Sequence, residues 1–163
     1  MIEVLLVLAI PVTGAALLAL VGDRDDAPRV NIAASGLTFA AAVALTIRVI
    51  AGGPLLVLDR MFFVDPFNVF LVALTAFVGF TTAIFSGPYM RIERDHGRLT
   101  PARLRLYHSM YQLFVFTMLL ALLTNNLGIL WVALEAATLT TVLLVSLYPV
   151  SYTHLTLPTT SRV

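Results

Sequence analysis

The sequence predicts an all-α membrane protein with five transmembrane helices. Three observations carry that expectation. Of 163 residues, 60% are hydrophobic and 12% charged, and the mean hydropathy is +0.96. A water-soluble domain cannot cover so much apolar surface, so the solvent for most of the chain is lipid. The apolar residues also fall into five runs of about 20, the length needed to cross a hydrocarbon core of roughly 30 Å in a helix that satisfies its own backbone.

The first span covers about residues 2–21, "IEVLLVLAIPVTGAALLALV", with Pro11 and Gly14 as candidate kink points. A secretory leader is the competing reading. It lacks a basic leading segment, and "DRDD" stands where a cleavage site belongs. The second span, about 30–50, is rich in Ala and Gly, which allow helices to approach closely. Between the second and third spans, "GGPLLVLDRMFFVD" places branched apolar residues after Gly-Gly-Pro, the pattern of a short extended or hairpin excursion.

The third span, about 66–86, opens at "VDPFN", where Asp65 is placed to cap the helix and Pro66 suits its first position. The fourth runs over about 103–124, starting inside a basic stretch. Asn125 and Asn126 then turn the chain into the fifth, about 127–148. So short a turn makes the last two spans antiparallel neighbours.

All ten basic residues are Arg. Arg24, Arg29, Arg91, Arg94, Arg98, Arg103 and Arg105 fall on one side of the membrane, and Arg60 and Arg48 lie at the other. This asymmetry puts the first side in the cytoplasm and the N-terminus outside, in a bacterial or archaeal cytoplasmic membrane. The simplest role for the Arg cluster is to set topology from a solvated loop. Cysteine is absent and only three His are present, so thiolate redox centres and Cys-based metal sites are excluded. No cofactor, metal, nucleic acid or small-molecule substrate is expected, and any redox chemistry the chain serves is carried elsewhere.

Residues 149–163 differ in composition, being rich in Thr, Ser and Pro. Within them "VSYTHLTLPT" (150–159) resembles the translation of a sequencing-library adapter. They are expected to be a non-native tail, leaving residues 1–148 as a transmembrane helical fragment.

One residue stands out against this background. "LGILWVALEAATLTTVLLVSLY" (127–148) contains a single ionisable group, Glu135. At about 100° per residue, Gly128, Trp131, Thr138, Val142 and Ser146 share its side of the helix. A carboxylic acid at that depth costs roughly 2.5–3.5 kcal/mol on insertion scales, and such residues are candidates for ion or proton pathways. The proton affinity of a desolvated acid changes with the charge of its neighbour, so it is able to load and release a proton. The plainer reading is a protonated acid hydrogen-bonded across a helix interface. His108, near the Arg-rich edge of span four, is a second candidate for proton transfer; an interfacial anchor beside Tyr107 and Tyr111 is the alternative.

"TNNLGILWVALEAATLTTVLLVSLY" resembles the fifth-helix region of the antiporter-like membrane subunits shared by complex I, multi-subunit cation/proton antiporters and group 4 membrane-bound hydrogenases. Its wording is nearest to component F of hydrogenase-4. "FVDPFNVFLVALTAFVGFTTAIFSGPYM" is similar to the third span of that family. The resemblance implies a fourteen-helix antiporter-like fold of which this is the N-terminal part. It also implies an outside N-terminus, and a helix-five glutamate at Glu135 that pairs with a lysine in a later helix to move protons. The function it implies is a non-redox, proton-translocating membrane subunit of an oxidoreductase complex, partnered by other membrane subunits and a soluble redox arm. The alternatives are a structural membrane anchor without transport and a cation/proton antiporter subunit.

Overall fold

The computed structural model describes residues 2–96 and 99–147. The proposed non-native tail, Tyr148 and Arg98 lie outside them. Five helices long and apolar enough to cross a membrane account for nearly all of the described chain: α1 (Ile2–Val21), α2 (Ala27–Gly52), α3 (Pro66–Asp95), α4 (Pro101–Leu123) and α5 (Leu127–Val145). A two-stranded hairpin, β1 (Leu55–Val57) and β2 (Phe62–Val64), interrupts them between α2 and α3.

The helix starts follow local chemistry. Asp65 Oδ1 accepts from the backbone N–H of Phe67 (3.1 Å) and Asn68 (2.7 Å), while Asn68 Oδ1 accepts from Asp65 N–H (2.8 Å). This reciprocal cap satisfies donors that a helix start otherwise leaves unpaired. Thr100 caps α4, and Asn126 caps α5 by accepting from Gly128 and Ile129 N–H at 2.9 and 3.2 Å. Asn126 is therefore both turn residue and helix cap, a role that the sequence reading assigned only as a turn.

Several boundaries differ from expectation: α2 ends at Gly52 rather than about 50, and α5 at Val145 rather than about 148. α2 and α4 begin at Ala27 and Pro101, earlier than about 30 and 103, because Pro28 and Pro101 fit the first helical turn. α3 continues past Ser86 to Asp95, with Pro88 inside it. A proline removes one N–H from the ladder, yet the last turns of α3 are held elsewhere, notably by the ion pair of Arg94 with Asp25 at 2.6 Å. α1 runs unbroken through both Pro11 and Gly14.

The expected excursion is an antiparallel hairpin pairing Leu55 with Val64, Leu56 with Phe63 and Val57 with Phe62. Its turn uses three consecutive left-handed residues, Leu58, Asp59 and Arg60, at φ 49°, 53° and 70°. No glycine announces that turn. The hairpin is joined to the α4–α5 corner: Phe62 bridges Thr124, Asn125 N–H donates to Met61 O at 2.8 Å, and Asn125 Nδ2 donates to Arg60 O at 3.1 Å.

α4 is the hub, touching α1, α2, α3 and α5, while α2 bridges α1 and α3. The main core joins Val4, Val7 and Leu8 of α1, Leu45 and Val49 of α2, Val69 and Val72 of α3, and Val115, Leu119 and Leu123 of α4. Small residues set the helix spacing as expected. A Cβ on Gly14 would stand 3.2 Å from Ala34 Cβ, and one on Gly36 would stand 3.1 Å from the Phe80 ring. α5 stays outside this core. It meets α4 through one stripe, Ala133, Ala137 and Thr140, and its remaining large side chains are mostly exposed.

Candidate functional site

The stripe that docks α5 also fixes where its acid points. Ala133, Ala137 and Thr140 lie about 140–200° around the helix from Glu135, so the carboxyl projects from the face opposite α4. Glu135 is exposed, and its neighbours Trp131 (73%), Leu134 (52%), Leu139 (56%) and Val142 (58%) are exposed with it. The sequence-derived stripe of Gly128, Trp131, Thr138, Val142 and Ser146 is exposed along its whole length. Thr138 turns its hydroxyl back onto Leu134 O at 3.0 Å and offers Glu135 no donor.

Depth follows from helix rise. Glu135 is about 12 Å along α5 from Leu127 and about 15 Å from Val145, near the middle of the span. Among the described residues it has no hydrogen bond and no ion pair. The cross-helix hydrogen bond offered as its plainer explanation is therefore not made within these five helices. What the geometry presents is one carboxyl group, the single ionisable side chain of α5, in the middle of an exposed helix face.

His108 is placed differently from an interfacial anchor. It is 3% exposed, and its Nδ1 lies 2.9 Å from Leu104 O and 3.1 Å from Gly22 O. Both partners are acceptors, so Nδ1 carries the hydrogen and donates, leaving Nε2 as the atom able to take a proton. The bond to Gly22 O fastens the α1–α2 turn to α4. The Tyr107 ring meets the imidazole edge-on, with centroids 5.3 Å apart. A small cavity of about 20 Å³ lies beside His108, bounded at its Arg-rich end by Arg24, Arg91 and Arg94, and it has room for a single water.

One turn deeper, a polar cluster escaped the sequence reading. Gln112 Nε2 lies 2.8 Å from Asn31 Oδ1, 2.8 Å from Ser35 Oγ and 3.1 Å from Asn31 O, and all three residues are at most 2% exposed. Among the described residues nothing donates to Gln112 Oε1. The available signal was spacing: Asn31 and Ser35 share a face of α2 four residues apart, as do His108 and Gln112 on α4. Nearby, the Tyr111 hydroxyl donates to Gly79 O and ties α4 to α3.

His108 and Glu135 are not brought together. The His108–Gln112 column faces α1 and α2, whereas Glu135 leaves the far side of α5. No hydrogen-bonded route links His108 to Glu135 among the described residues.

The Arg-rich segments do converge at one end. Arg94 pairs with Asp25 at 2.6 Å, Arg29 with Asp26 at 2.7 Å, and Arg105 approaches Asp23 at 3.8 Å. At the other end Arg48 pairs with Glu3 at 3.0 Å. Among the described residues no group of three or more His, Asp or Glu is placed to hold a metal ion.

No known family profile matches the chain. It is similar to a protein of Methylacidiphilum infernorum (isolate V4) named hydrogenase-4 component F homolog, with 53% identity over 87 residues. That alignment covers 53% of this chain and 18% of the relative, so the chain matches under a fifth of the relative's length.

Proposed function

We propose that this chain forms part of a membrane subunit of a hydrogenase-like oxidoreductase complex, and that the subunit translocates protons with Glu135 as an exchangeable carrier. The observation that carries the reading is the position of Glu135: mid-span on α5, on the face turned away from α4, and without an ionic or hydrogen-bonding partner among the described residues. An acid at that depth is costly to place and is a candidate for an ion or proton pathway. A cation arriving on the open face of α5 would favour the carboxylate, and its loss or neutralisation would return the proton. The similarity to the hydrogenase-4 component F homolog supports reading the chain as part of a membrane subunit of such a complex.

His108 enters the proposal separately. Its free Nε2 and the adjoining cavity suit it to exchange protons with the Arg-rich side, and the polar cluster below extends that column inward. By the Arg asymmetry this side is cytoplasmic and the N-terminus is outside. The remaining partners are other membrane subunits and a soluble redox arm.

The test is Glu135→Gln in the full-length protein, reconstituted with its complex in vesicles. Redox-driven acidification should fall to background while the complex assembles in normal yield. Undiminished pumping would sink the proposal in favour of a passive anchor. Sodium dependence of the transport would assign the antiporter alternative.

A further inference from the structure

A second feature lies at the Arg-rich end, away from Glu135 and sharing Pro28 and Arg91 with the small cavity beside His108. α2 and α3 meet there: a Cβ on Gly87 would make ordinary van der Waals contact, 3.6 Å from Pro28 Cβ and 4.0 Å from Ile32 Cδ1. Beside the crossing is a groove of about 290 Å³ with Arg29 and Arg91 among its lining residues, together with Ile32, Gly87, Pro88 and Ile92.

The groove is polarised along the membrane normal. α2 enters the membrane from Ala27 and α3 leaves it towards Asp95, so Arg29 and Arg91 lie at the rim. Ile32 is about 4.5 Å deeper than Arg29, and Gly87 about 6 Å deeper than Arg91. A cationic mouth thus stands over an apolar floor.

The two arginines are not equivalent. Arg29 is already engaged by Asp26 at 2.7 Å. Arg91 is exposed and makes no ion pair or hydrogen bond with any described residue. Asp25 is taken by Arg94, and Glu93 is buried on another face of α3. A guanidinium with five donors, held at the rim of a membrane span, is suited to bidentate recognition of phosphate. Basic pockets between transmembrane helices recognise anionic headgroups in this way.

We infer that this groove is a binding site for an anionic phospholipid, with its phosphate on Arg91, assisted by Arg29, and an acyl chain along Ile32, Gly87 and Pro88. A free anion matches only the mouth, and a zwitterionic lipid such as phosphatidylcholine offers a phosphate whose charge its own ammonium offsets, so a net-anionic headgroup fits the arginine pair best. The sequence reading took the Arg cluster as a topology signal; one member of it has a ligand as well.

Native mass spectrometry on the purified full-length protein tests this, after exchange into micelles containing phosphatidylglycerol or phosphatidylcholine. Wild type should retain phosphatidylglycerol in preference. Arg91→Gln should cut that retention about fivefold, the factor one basic residue contributes at an anionic surface. Arg103→Gln, at the same end of the molecule, should leave it unchanged. Gly87→Leu, which fills the floor and leaves Arg91 intact, should also reduce retention, and inorganic phosphate should not displace the lipid. Equal retention by Arg91→Gln, or no retention by wild type because another helix covers the groove, overturns the inference. Displacement by inorganic phosphate together with normal binding by Gly87→Leu overturns it too, since that pair of results describes an anion site without an acyl groove.

Discussion

Single side chains at the helix ends hold much of this structure in place. Asp65 is the clearest case, because its carboxylate accepts from two N–H groups at the start of α3. Asp65→Ala should lower stability by about 1 kcal/mol, and Asp65→Asn should restore most of it, since an amide oxygen accepts the same bonds. Thermal unfolding of the full-length protein in detergent reads both. Asp65 and Glu135 were legible from sequence because each is an acid whose neighbours explain it: Pro66 beside one, unbroken apolar residues around the other. His108 was legible only as a position. Its burial comes from the α1–α2 turn folding over it, a contact with Gly22 that spans 86 residues and leaves no local pattern. The same applies to Gln112, whose partners lie on α2.

At the level of elements, α5 differs from the other four helices. It is attached by a stripe of small residues, and only 17% of its apolar window is buried, against 50% for α4. Placing a large side chain in that stripe should force the two helices apart. Ala137→Leu is expected to cost about 1–3 kcal/mol by overpacking, whereas Leu139→Ala, exposed at 56%, should stay within about 0.5 kcal/mol. Comparing the two melting temperatures in detergent would show whether the stripe, or apolar area in general, attaches α5. The five spans themselves were readable because hydrocarbon admits little except long apolar helices. Their limits were less so. The ending expected near Ser86 fell short because α3 accommodates Gly87 and Pro88 and runs on to meet the α1–α2 turn.

Across the whole molecule, charge is segregated between the two ends. The turn after α1 and the end of α3 are bound to each other by Arg94 and Asp25, which places Arg24, Arg29, Arg91 and Arg94 on one side. The hairpin and the α4–α5 corner form the other. Because the chain lacks cysteine, single cysteines report which side is which without background. Met61→Cys should react with a membrane-impermeant maleimide added outside intact cells, and Asp26→Cys only after the membrane is opened. The reverse pattern would invert the orientation inferred from the arginines.

The union of the hairpin with the α4–α5 corner has a consequence for how the protein is made. Met61 and Asn125 are joined by a backbone hydrogen bond, and Phe62 and Thr124 by a β-bridge, across more than 60 intervening residues. During synthesis the hairpin leaves the ribosome before the α4–α5 corner it pairs with, and that edge stays unmatched until two further helices have been threaded through the bilayer. Forming the seam thus waits on the synthesis of α3 and α4. It draws together segments inserted at different times and fixes how far α4 slides along its own axis relative to α3.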